Sequence, residues 1–476
     1  MMATGTENSV WLDAAVLLPD EKIPVKFSRA KKLLVAAAGL VSISNSALAS
    51  SLPSGAASEI VKDFKITNPL YPVLLNSVFM IGFAFGPLVF GPLSEHIGRR
   101  LVIIGTYVGY MIFTICCAVS PSYSALIFFR FLCGVAASSP NVVVGPIYAD
   151  IFDVPEERGN AVSIYGCVTA MLPPFGPIIS GYVVEKYSWR LSFWIALAIS
   201  GVFLPLILWL PETYIHFIRR QHMKRNNIEL AVVNDPYGKE RPSLREELKI
   251  VFSRPFIMIV KEPVVLFTGL YLSLIYATLY LFFQSYFIIY QGVYGLSAGE
   301  VGLTFLPVSG GSLSALFISL WYTSYHRRCM LSGAEWAMKI EYRRLPLACF
   351  GGPLIIISLF WLGWTSFPWI HPAVPAMSGL LFGAGYIIIF MSLLNYVTDA
   401  YREFSASAQA SMSTMRSITA VCLPLAAPQM YGNLGIQWAC SLLGFITLIL
   451  AIIPFAFIKY GEKLRKKSPF CQQLAT

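Results

Sequence analysis

The chain has 476 residues, of which 56% are hydrophobic and only 13% charged, with a mean hydropathy of +0.65. That excludes an ordinary soluble protein, since soluble domains carry about a quarter charged residues. The net charge of +10 invites a nucleic-acid reading, which the distribution of that charge removes below. Residues 345–398 and 417–458 contain no Asp, Glu, Lys or Arg. A spanning helix needs about 20 apolar residues, so each run holds two spans of a polytopic membrane protein.

Charge-free stretches predict twelve spans, near 33–52, 70–91, 101–119, 124–148, 161–183, 191–210, 264–288, 301–322, 346–365, 373–397, 412–429 and 438–458. The resulting organisation is a cytoplasmic tail (1–32), a six-helix bundle (33–211), a central loop (212–262), a second bundle (263–459) and a tail (460–476). Glu7, Asp13, Asp20 and Glu21 precede every basic residue, so the start is expected to be a retained anchor and not a secretory signal. With the N-terminus inside, inner segments collect 30 of the 35 basic residues and outer segments only Lys62, Lys65, Lys186 and Arg190. Arg130 is counted within the fourth span, and Arg416, although the span near 412–429 covers it, is tallied with the inner segments. The asymmetry follows the positive-inside rule and places both termini in the cytoplasm. Basic clusters such as Arg219-Arg220 and Arg465-Lys466-Lys467 then face anionic inner-leaflet lipid, not nucleic acid.

In the central loop, Ser243 stands three residues before Glu246, with Leu244, Leu248 and Val251 as an apolar stripe. This predicts a capped amphipathic helix, lying on the membrane or solvated as a linker. The two halves carry matching loops. Gly91–Arg100 after the second span corresponds to Ser324–Arg328 after the eighth, and Tyr148-Ala-Asp150 to Tyr396-Val-Thr-Asp399. Six-span repeats around a central cavity are a transporter architecture.

The segment Gly91-Pro-Leu-Ser-Glu-His-Ile-Gly-Arg-Arg100 resembles the loop signature of the major facilitator superfamily. The resemblance implies a gating cluster of Gly91, Glu95, Gly98, Arg99, Arg100 and Asp150 that latches an outward-open state, with Glu95 where Asp is commoner. Leu126–Ala137 is similar to the family's second motif, with Cys133 and Ala136 departing from it. There Arg130, Gly134, Ser138 and Asn141 share a helix face; Arg130 either looks inward or snorkels to the headgroups. Pro173–Gly181 in the fifth span resembles the antiporter motif, with Gly176, Pro177 and Gly181 expected to bend the helix and Ser180 replacing a glycine.

Leu210-Pro-Glu-Thr-Tyr214, Ser253–Phe256, Tyr294–Leu303, Glu341–Pro346, Asn395–Asp399 and Gln429-Met-Tyr431 are similar to fungal twelve-span drug:proton antiporters, which export drugs, polyamines and secondary metabolites. The implied fold is all-α, two pseudo-symmetric six-helix bundles, and the implied activity is export of small organic molecules against protons at the plasma membrane. The vacuolar membrane, a proton-coupled importer and a transporter-like receptor stand as alternatives. Family geometry would line the cavity with Asn45, Ser138, Asn141, Tyr276, Tyr280, Gln284 and Asn395. Aromatics with a few amides suit an amphipathic or planar organic molecule, although such stripes also serve as packing. No carboxylate lies in mid-span, which leaves Glu300 and Arg130 as coupling candidates.

Nine cysteines form no Cys-x-x-Cys pair and five histidines lack metal spacing, so no metal or cofactor is expected beyond the proton gradient. Partners are expected to be substrate, protons and lipid, with no nucleic acid and a monomeric chain. No multi-His constellation or phosphate loop supports an enzyme or ATP drive.

Overall fold

Lipid cannot hydrogen-bond a backbone, so a chain this apolar must satisfy its amides internally. In the computed structural model, which describes residues 23–68, 70–225, 256–401 and 405–468, it does so with helices and no strand among those residues. The N-terminal half contains α1 (Arg29–Asp63), α2 (Tyr71–Ile97), α3 (Arg99–Ala118), α4 (Tyr123–Ile151), α5 (Pro155–Met171 and Phe175–Lys186) and α6 (Arg190–Leu208). The C-terminal half contains α7 (Pro263–Tyr294), α8 (Ala298–Leu331), α9 (Ile340–Thr365) and α10 (Ala373–Tyr401). A short helix, Ile215–Arg225, follows α6. The helix expected over Ser243–Val251 lies outside the described residues.

Eleven stretches among the described residues are long and apolar enough to cross a membrane, and the last, Ala427–Lys466, is 40 residues long. As one rod it would extend about 60 Å, twice the hydrocarbon thickness. It is broken at Gly435, where φ is +74°. Tyr431 Oη and Cys440 Sγ, nine residues apart, approach to 3.7 Å, so the chain doubles back there. Residues 427–434 therefore continue the helix Ser405–Leu425 as α11, and 436–467 form α12. Ser405–Leu425 is more polar than the other spans because it carries seven Ser and Thr and Arg416. The count of twelve holds, but the basic tally changes: Arg416, expected in an inner segment, is a second intramembrane arginine.

The halves repeat one packing device. A Cβ at Gly134 of α4 would overlap the Phe79 carbonyl of α2, and one at Gly82 the Phe131 carbonyl. In the other half, a Cβ at Gly383 of α10 would overlap the Val308 carbonyl of α8, and one at Gly311 the Leu380 carbonyl. Small residues let membrane helices cross at backbone contact, where dispersion replaces the missing hydrophobic drive.

Candidate functional site: a charge cluster, an inter-half joint and an aromatic centre

The charge cluster is built around the turn between α2 and α3. Gly98 has φ +94°, and a Cβ there would overlap the Glu212 carboxylate. Only glycine fits both demands. Glu212 accepts the backbone N–H of Arg99 at 3.0 Å and of Arg100 at 3.2 Å, placing a carboxylate at the start of α3. It also accepts from Thr213 and Tyr214, both at 3.0 Å. Arg99 Nε meets Asp150 Oδ2 at 3.1 Å, with the guanidinium 5.2 Å above the Tyr214 ring. Glu95 is exposed at the end of α2, Arg100 is exposed, and Gly91 has open space where a side chain would go. Gly91 thus answers to no close contact here. In sequence Glu212 stands out only as part of Leu210-Pro-Glu-Thr-Tyr214; its capping role depends on the fold.

The proline-rich segment of α5 does more than bend its helix. The turn at 172–174 separates the two pieces, and Gly176 approaches the backbone of α1 where a 3₁₀ turn, Leu52–Ala56, interrupts it. Ser51 Oγ donates to the Pro173 carbonyl. A Cβ on Gly181 would overlap the Ala298 carbonyl of α8; one on Gly302 would sit 2.6 Å from Ile178 Cα. Glu185 accepts the Gly299 N–H at 2.8 Å. Further down, Ser309 donates to the Met171 carbonyl and Cys167 to the Ser312 carbonyl. This joint links the halves from the end bearing Lys62, Lys65, Lys186 and Arg190 down to mid-helix.

Arg130 is buried, 2% exposed, which rules out snorkelling. Its Nε donates to the Leu75 carbonyl of α2 and its Nη1 to the Ala49 carbonyl of α1, each at 3.1 Å, with Phe79 4.5 Å beneath. It clamps three helices of one half. Three other expectations change in the same way. Asn45 Nδ2 donates to Tyr107 Oη, so it faces α3 inside the N-terminal half, around a void of about 10 Å³. Ser138 is fully buried against Gly86 and bonds its own helix at Val135. Glu300, at the outer start of the eighth span, is exposed and caps α8 in a reciprocal box with Ser297.

Between the halves the aromatic candidates meet. Tyr276 and Tyr280 of α7 lie 5.0 Å apart, and Tyr280 donates to Ser50 Oγ of α1 at 3.0 Å, across the halves. Tyr165 of α5 donates to the Asn141 side chain at 3.4 Å and the Pro140 carbonyl at 3.2 Å. Gln284 and Asn395 are half-buried. The centre holds a residue that sequence reading missed: the Arg416 guanidinium stands 4.7 Å from the Phe390 ring and 5.5 Å from the Tyr276 ring. Tyr165, Tyr280 and Tyr386 are within its electrostatic reach. The available signal was plain: the charge-free run 417–458 begins immediately after Arg416.

Two related helical bundles enclosing a mid-membrane cluster define a secondary-transporter class. The family model of the Major Facilitator Superfamily matches residues 34–422, and the chain belongs to that superfamily. It is 36% identical over 432 residues to "Efflux pump FUB11" of Gibberella moniliformis, spanning 90% of this chain and 72% of that protein. It is 33% identical over 475 residues to the "Major facilitator superfamily multidrug transporter mdrA" of Aspergillus fumigatus, spanning 98% and 77%. Among solved structures, the proton:xylose symporter XylE superposes with a TM-score of 0.66 at 12% identity, covering 91% of this chain and 97% of that one. That likeness establishes fold alone.

Proposed function

We propose that this protein exports small organic molecules by alternating access, exchanging them for protons. The names of the relatives support export, and they match this chain along most of its length. One observation carries the alternating-access part: the Tyr280–Ser50 hydrogen bond ties the central cluster to both halves. Rocking one half against the other must break or re-form it, so occupancy of the cluster and access to it are coupled. The joint between α5, α1 and α8 closes one end while the basic clusters sit at the other. With basic residues inside, the joint closes the outer end. The same orientation puts both termini in the cytoplasm, and the plasma membrane is the proposed location of a monomeric transporter.

Inside-out vesicles with an acid lumen test the reading, using a fluorescent planar organic probe. The expected result is probe accumulation that collapses when an ionophore dissipates the pH gradient. Accumulation only in right-side-out vesicles with acid outside would make the protein an importer and overturn the proposal.

A further inference from the structure

We infer that Arg416 is the anion-binding residue of the central site, and that the cargo is a small organic oxyanion, such as a carboxylate, carried on a planar aromatic body. The inference rests on the transporter reading for the cargo's passage, though not for its binding.

Arg416 lies eleven residues into the helix Ser405–Leu425, about 16 Å along its axis and hence deep in the membrane. An ionised group there is retained only for a reason, and the two intramembrane arginines have different ones. Arg130 has spent its Nε and one Nη1 on carbonyls. Arg416 has not: its Nε and Nη1 are shut off from solvent and meet no acceptor among the described residues. The ion pairs Arg99–Asp150, Arg190–Asp63, Arg344–Asp399 and Arg465–Glu341 all lie toward helix ends, and none includes Arg416. Ring faces at 4.7 and 5.5 Å attract the cation through their quadrupoles, but they offer nothing to in-plane N–H donors.

Buried donors without acceptors are costly, and native proteins leave few of them. A carboxylate satisfies two guanidinium N–H groups at once, in a geometry that lysine cannot reproduce. The same rings that hold the guanidinium present faces on which a planar body can stack. Tyr276, Phe390 and Arg416 come from α7, α10 and α11, which pack on one another in the C-terminal half, so the bound anion would touch three helices at once. A cationic cargo would be repelled by an uncompensated charge in a low-dielectric site.

Equilibrium titration of the purified full-length protein in detergent tests this without any gradient. The probes are benzoate and 1-naphthoate, each against its neutral amide. Wild-type protein is expected to bind each acid at least tenfold more tightly than its amide. Arg416→Gln should bind the acids roughly tenfold to a hundredfold more weakly, the worth of a charge-assisted hydrogen bond, with amide affinity unchanged. Unchanged amide binding also shows that the variant is folded. Should Arg416→Gln fail to fold, Arg416→Lys decides: weaker acid binding with the acid-over-amide preference retained supports the assignment. Acids bound no better than amides by wild type overturn it, as does wild-type acid affinity in either variant. A failed vesicle experiment would sink export and leave this result standing.

Discussion

Arg344 Nε lies 3.4 Å from Asp399 Oδ2, at the start of α9 and near the end of α10. Arg99 and Asp150 hold the same positions on α3 and α4, 3.1 Å apart. The repeat is therefore written in one arginine at the start of the third helix of each half and one aspartate at the end of the fourth. Arg327 and Arg328, which the loop comparison matched to Arg99 and Arg100, end α8 instead.

The two pairs differ in burial, and that should be measurable. The side chains of Arg99 and Asp150 are 10% and 20% exposed; those of Arg344 and Asp399 are 25% and 28% exposed. Removing one partner strands the other charge, and the penalty grows with burial. Asp150→Asn is expected to destabilise by about 2–3 kcal/mol and Asp399→Asn by about 1 kcal/mol. Thermal unfolding of both variants in detergent checks the order; equal shifts would show that burial does not set it.

The two glycines of the Gly91–Arg100 turn should separate cleanly. Gly98→Ala forces a side chain into a positive-φ position and against Glu212 and Phe217. A loss of about 1–3 kcal/mol is expected, with reduced transport. Gly91→Ala meets nothing within 4 Å and should leave both readouts within error. A transport assay normalised to surface protein, run beside the melts, distinguishes the pair.

Arg130 makes a sharper forecast now that its partners are known. A lysine ammonium cannot reach the Leu75 and Ala49 carbonyls from Nε and Nη1 positions together. Arg130→Lys should lose about 1–2 kcal/mol and Arg130→Ala about 3 kcal/mol, with transport falling in the same order. A thermally wild-type lysine variant would mean that the fork is not needed.

The inter-half joint is the place to arrest the cycle. Gly181→Val drives bulk into the Ala298 carbonyl and should hold that end apart. Export is expected to fall at least tenfold at equal surface amounts, a barrier increase of about 1.4 kcal/mol or more. Gly201→Ala of α6, with nothing within 4 Å, serves as the matched control. Full export by the Gly181 variant would remove this contact from the cycle.

Sequence alone determined the number of spans, the two-half arrangement and the position of the Gly91–Arg100 turn. It could do so because lipid enforces helices, the hydrocarbon thickness sets their length, and charge is confined to their ends. That Arg99 and Asp150 belong to one cluster came from resemblance to the family's loop motif, and the fold pairs them at 3.1 Å. What only tertiary structure decided was which way each side chain faces. In water an apolar stripe marks the core; in lipid both the outward and the packed face are apolar, so periodicity loses its meaning. Asn45 and Ser138 were thus drawn into the cavity when they pack inside one half, and Glu300, a coupling candidate at the start of the eighth span, caps its own helix. Arg416 shows the converse. Its polar helix weakened the span signal and the arginine was tallied with the inner segments, whereas its position among Tyr276, Tyr386 and Phe390 depends on contacts from helices more than a hundred residues away in sequence as well as from near neighbours. Charge placement along the chain is local information; the company a charge keeps is not.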